Sequence, residues 1–138
     1  MMITTRFAQV FLGIMGLAFC KVGIEALIDP QTVLQQVGIT LDNPSAMSSM
    51  RAVYGGMHLF FGLLCFWSAM KEPASALRLV ALYTSGFVIG RAISLVIDGT
   101  PNPFVFTWLG TEAFSLVASV VLLSLLRQPV RKTSAVSI

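Results

Sequence analysis

The chain has 138 residues, of which 56% are hydrophobic and only 11% charged, with a mean hydropathy of +0.84 and a formal net charge of +3. A soluble domain carries about 25% charged residues, so a water-facing globule is excluded and lipid is the expected solvent. The length allows a single domain, residues 1–138. The basic excess lacks the interleaved aromatics of single-strand binders, which excludes nucleic acid as an expected partner and points to anionic lipid headgroups.

Four apolar stretches meet the requirement of roughly 20 residues for a membrane span. The first covers about residues 7–28. Its "LGIMGLAFC" resembles a cleavage region, but Phe19 is too large for the residue before the cut. Lys21 and Glu25 then continue a helical face, so this span is expected to be retained. Cys20 and Cys65 both fall inside spans, where small buried side chains are expected and a disulfide framework is not.

The connection Asp29–Ser49 is the only long one. Its "DPQTVLQQVG" predicts a short helix with Asp29 as N-cap, Pro30 in the first turn and Gly38 as terminator. Val33, Leu34 and Val37 give this helix an apolar face, to lie on the membrane surface or over the bundle mouth. An ordinary amphipathic linker fits the same pattern. The second span covers about residues 50–70 and ends at the hairpin "KEPASA". The third, about 77–97, is interrupted by Arg78 and Arg91. After the turn "DGTPNP" the fourth covers about 104–126, with Glu112 as its one charge.

Basic residues near span ends mark the cytoplasmic side. Arg6, Lys71, Arg78, Arg127, Arg131 and Lys132 share one side, and Asp29, Asp42 and Asp98 the other. The expected fold is therefore all-α: a four-transmembrane-helix bundle with both termini cytoplasmic and the short amphipathic helix in the first periplasmic connection of a bacterial inner membrane.

The charges inside the spans share a depth. A helix rises about 1.5 Å per residue, which places Arg91, Glu112, His58 and Lys21 roughly 10–13 Å below the outer ends of their helices. Glu25, Arg51 and Asp98 lie nearer the surface. Tyr54 shares a helical face with Arg51 and His58, as Ser94 does with Arg91 and Asp98. Lys21, Arg51 and Arg91 balance Glu25, Asp98 and Glu112. A charge in hydrocarbon faces the bundle interior and a partner, so these groups are expected to point inward, with Glu112 as the partner of Arg91. Gly13 with Gly16, Ala52 with Gly56, and Gly86 with Gly90 are expected to be the small faces that let helices approach.

At "RAVYGGMHLFFGLL", "GRAISLVIDGTP" and the lone Glu112 the chain resembles, over nearly its whole length, a bacterial family of four-helix membrane proteins classed as a domain of unknown function. That resemblance implies the four-helix membrane fold and no activity, substrate or cofactor. The architecture is also broadly similar to small four-helix membrane families, some of which serve as subunits of quinone-linked oxidoreductases.

Three functions compete. The first is a structural or accessory membrane subunit, in a homo-oligomer or a larger complex, with Lys21, Glu25, Arg51, Tyr54, His58, Arg91, Ser94, Asp98 and Glu112 as a polar network that fixes register. The alternative is an outward-facing pocket where Arg51, Arg91, His58 and Tyr54 hold the head group of a lipid or quinone. Phe60, Phe61, Trp67, Phe104 and Trp108 would wall its tail. The third is a proton-coupled transporter or an enzyme, built on a Glu112 buried beside Arg91. No metal-ligand spacing surrounds His58, the only histidine, and no nucleophile elbow, phosphate loop or dinucleotide fingerprint is present, so enzymatic chemistry is the least favoured reading and no cofactor is evident beyond a bound lipid or quinone.

Overall fold

A computed structural model of the chain describes residues 2–127. It is all-α. Helix α1 spans Met2–Ile28, α2 Pro30–Leu34, α3 Pro44–Lys71, α4 Pro73–Ile97 and α5 Pro103–Arg127. Four of these, α1, α3, α4 and α5, are long and apolar enough to cross a membrane. Twenty-five residues at about 1.5 Å each exceed the hydrocarbon thickness of about 30 Å. Arg131 and Lys132 of the expected basic tail lie outside the described residues.

Four helices begin at proline, which is pre-set for the first turn and has no N–H to lose. The preceding residue is a cap in three of them. Asn43 Oδ1 accepts from the Ala46 amide at 2.8 Å, and Asn102 Oδ1 from the Val105 amide at 2.9 Å. Asn43 is also why α3 starts six residues before the expected Met50: the cap sets the start, not the onset of apolar sequence. The connection expected over Asp29–Ser49 therefore ends at the Asn43 cap.

Asp29 caps α2 by accepting from the Gln31 amide at 3.0 Å and the Thr32 hydroxyl at 2.7 Å. A one-turn 3₁₀ segment, Gln35–Val37, follows and stops at Gly38, whose φ of 79° is left-handed. The Thr32 hydroxyl above all holds the Asp29 carboxyl below its ordinary range; desolvation opposes it, and the Gln31 and Thr32 amides and the charge of Arg51 add to the lowering. The folded cap thus favours the carboxylate. Its contribution is complete above the ordinary carboxylate pKa and is lost as pH falls through the lower folded value. Acidification into that window is expected to lower the protection of the Gln31 amide relative to its intrinsic exchange rate, and Asp29→Ala to do so at neutral pH; equal protection in both proteins would refute the cap.

The bundle is built from two close pairs, α1 with α3 and α4 with α5. Ala8, Leu12, Cys65, Ala69, Ala76, Leu77 and Val80 form a packed core in the half that holds Arg6, Lys71 and Arg78. Cys20 and Cys65 are free thiols, Cys65 buried in that core.

Close approach occurs at α1–α3. A Cβ on Gly23 would lie 2.5 Å from the Leu59 amide nitrogen, and one on Gly62 2.6 Å from Cys20 Sγ. Gly16 and Gly55 serve the same seam, against Phe66 and Leu27. The expected small faces are corrected here. Gly13, Gly56, Gly86 and Gly90 have no neighbouring atom within 4 Å of a built Cβ. Only Gly16 of that set packs as expected.

Candidate functional site

The half of the bundle away from the core does not close. It encloses a cavity of about 420 Å³ lined by all four long helices and roofed by Val33, Leu34 and Val37 of α2 and its 3₁₀ turn. Asn102 ties this roof down by donating to the Gln36 carbonyl at 2.9 Å. Thr84 and Ser115, both buried, form its floor on the side of the packed core.

Arg91 of α4 meets Glu112 of α5 in a bidentate pair, Nε to Oε2 at 2.6 Å and Nη2 to Oε1 at 2.9 Å. The partner expected for Arg91 is the one it has. The two side chains are 25% and 11% exposed, so the pair is mostly withdrawn yet reachable from the cavity. Such a side-on fork fixes geometry as well as charge.

His58 is positioned by an unusual turn. Residues Arg51–Met57 of α3, the sequence "RAVYGGM", form a π-helix. Short π segments often accompany functional sites. Here His58 Nδ1 lies 3.2 Å from the Val53 carbonyl, and Tyr54 stacks on the imidazole with centroids 5.6 Å apart. A carbonyl can only accept, so Nδ1 carries the proton of the neutral ring. Nε2 then accepts from the Tyr83 hydroxyl at 3.3 Å.

Six of the nine expected residues line the cavity: Lys21, Glu25, Tyr54, His58, Arg91 and Glu112. Lys21 and Glu25 pair at 2.7 Å along one helical turn, at the exposed edge. The other three stand outside the cavity. Arg51 donates from Nε to the Leu27 carbonyl at 3.2 Å and so staples α3 to the last turn of α1. Ser94 donates to Asp98 at 2.6 Å within α4, and both are exposed. The expected pairing between helices is thus limited to Arg91–Glu112. A neighbour four residues away on the same helix satisfies a polar group at less entropic cost than a distant one.

The aromatic wall also differs from expectation. Phe104 and Trp108 line the cavity, whereas Phe60 is 71% and Trp67 61% exposed on the outer surface. Phe61 stacks behind Tyr83 with centroids 4.4 Å apart. Tyr83, Phe87, Phe19, Thr84, Thr111 and Ser115 are lining residues that sequence reading missed. The signal was there: Tyr83, Phe87 and Arg91 follow at intervals of four, one face of α4, and Thr111 and Ser115 do the same on α5.

A family model described as a domain of unknown function, DUF4345, matches residues 7–123. The chain belongs to this family. The matched DUF4345 region contains both quoted motifs, Glu112 and every cavity-lining residue from Met15 to Ser115. No curated protein and no solved structure matches the chain. Membership of DUF4345 assigns no activity, so the reading of function rests on the cavity: an apolar chamber with a few convergent polar groups, the ordinary form of a small-molecule site.

Proposed function

We propose that this protein binds a membrane amphiphile, a lipid or quinone, in the roofed cavity. The head group lies among Arg91, Glu112, His58, Tyr54 and Tyr83, and the tail runs along Phe104, Trp108 and the α2 roof. One observation carries the reading. A polar layer that served register alone would close on itself, as the core half does, and this layer borders a cavity of about 420 Å³.

In this reading the four long helices sit in a bacterial inner membrane with both ends in the cytoplasm, and α2 lies on the periplasmic side. The basic set Arg6, Lys71 and Arg78 opposite Asp29, Asp42 and Asp98 supports that orientation. The ligand reaches the site from the membrane, and association with further subunits is compatible with the apolar outer faces.

Native mass spectrometry of protein released directly from membranes tests the proposal. A stoichiometric adduct is expected, and Ala18→Trp, which places a large ring in the cavity, is expected to lose it. If the unaltered chain carries no adduct and Ala18→Trp is equally stable and active in vivo, the layer is structural and the accessory-subunit reading takes its place.

A further inference from the structure

We infer that the cavity selects an uncharged, hydroxyl-bearing head group, of the quinol or neutral glycerolipid kind, over phosphate, carboxylate or a head group with carbonyls alone. The inference rests on the cavity being a binding site and specifies what it takes.

Charge is the first argument. The ionic side chains on the lining are Lys21, Glu25, Arg91 and Glu112, two cations and two anions. They are already matched, Lys21 to Glu25 at 2.7 Å and Arg91 to Glu112 at 2.6 Å. An anionic head group would have to displace a carboxylate from its partner or remain uncompensated beneath the apolar roof of Val33, Leu34 and Val37. A neutral head group does neither.

Hydrogen-bond polarity is the second. Each hydroxyl has one proton to give. Thr84 gives its proton to the Val80 carbonyl at 2.8 Å, Thr111 to Thr107 at 3.1 Å and Ser115 to Thr111 at 2.8 Å. Tyr83 gives its own to His58 Nε2, because the Val53 carbonyl fixes the other ring nitrogen as the donor. Toward the cavity these oxygens, together with the Glu112 carboxylate, offer lone pairs. The floor and one wall therefore accept, and a ligand there must donate. Against those oxygens a quinone carbonyl would meet lone pair with lone pair; a hydroxyl would not. The remaining N–H groups of Arg91 and the Tyr54 hydroxyl can donate, so a hydroxyl head group uses both sides, its proton going to the accepting floor and its oxygen to these donors, whereas a carbonyl is met by the donors alone.

The test uses Trp67→Phe, which leaves Trp108 as the single tryptophan and reporter, because the chain has only two. The protein is placed in phosphatidylcholine nanodiscs and titrated anaerobically with four decyl-chain probes: a hydroquinone, the matching benzoquinone, a monoacylglycerol and an alkyl phosphate. Both hydroxyl-bearing probes are expected to bind roughly ten-fold more tightly than the other two, since the others leave a buried polar group unmet. Ser115→Ala and Thr84→Val are expected to weaken the hydroxyl probes several-fold and leave the benzoquinone unchanged. Tighter binding of the hydroquinone than of the monoacylglycerol, or the reverse, tells the two sources apart. Preference for phosphate or benzoquinone overturns the inference while the cavity stays a binding site. Failure of all four probes to bind removes both.

Discussion

Glu112→Leu is expected to lower thermal stability far more than Arg91→Met, and the double replacement to recover most of the loss. The two side chains form one fork between α4 and α5, Nε to Oε2 at 2.6 Å and Nη2 to Oε1 at 2.9 Å. Removing one member of a buried pair strands the other and costs roughly 3–5 kcal/mol. The two removals are unequal for a chemical reason. A carboxyl left alone in a low dielectric can take up a proton and become neutral; a guanidinium cannot give one up. Arg91 without Glu112 is therefore the worse orphan. With both replaced by apolar groups no charge remains, and buried pairs exchanged in this way are often neutral or more stable. Thermal unfolding of the three variants in one detergent checks the order. Equal losses, or a double variant no better than Glu112→Leu, would mean that the pair is not the buried unit described. The double variant also separates roles: it keeps the fold and is expected to lose the ligand.

Axial position was legible in the sequence, and azimuth was not. The four spans follow from apolar length, and the α2 cap from the residue types Asp29, Pro30 and Gly38. Arg91 and Glu112 were found by depth, because two opposite charges at one level of a bundle have strong reason to meet. Depth says nothing about which way a helix is turned. Ser94 and Asp98 lie on the expected helix near the expected level, yet they bond to each other outside the cavity. The spacing of Arg51, Tyr54 and His58 places them on one α-helical face, and the π-helix over Arg51–Met57 changes that face. A π turn is a choice between nearly equal backbone hydrogen-bond patterns and leaves little trace in composition. The cavity itself leaves only the four-residue spacing of Tyr83, Phe87 and Arg91 and of Thr111 and Ser115 as a sequence signature, and such residues look like ordinary helix positions until neighbouring helices are set around them.

Gly23→Ala and Gly62→Ala are each expected to destabilise the protein by about 1–3 kcal/mol, the usual cost of overpacking, whereas Gly86→Ala and Gly90→Ala are expected to be neutral or slightly stabilising. The difference lies in what a methyl would meet. At Gly23 it meets the Leu59 backbone, the amide nitrogen at 2.5 Å and Cα at 2.8 Å, and at Gly62 it meets the Gly16 carbonyl at 2.8 Å. Backbone cannot rotate away as a side-chain end can, so α1 and α3 must part. At Gly86 and Gly90 nothing lies within 4 Å, and Ala has the higher helix propensity by up to about 1 kcal/mol. The double Gly23→Ala, Gly62→Ala is expected to cost less than the sum of the single changes, because one separation of α1 from α3 relieves both clashes. That separation also moves Phe19 and Lys21 away from Tyr54 and His58, which line the cavity from opposite sides of the same seam. Ligand affinity should therefore fall along with stability at Gly23 and at neither Gly86 nor Gly90. Loss of stability at Gly86 or Gly90 comparable to that at Gly23 would show that α4 packs closely against a second chain in the membrane through the face that is open here.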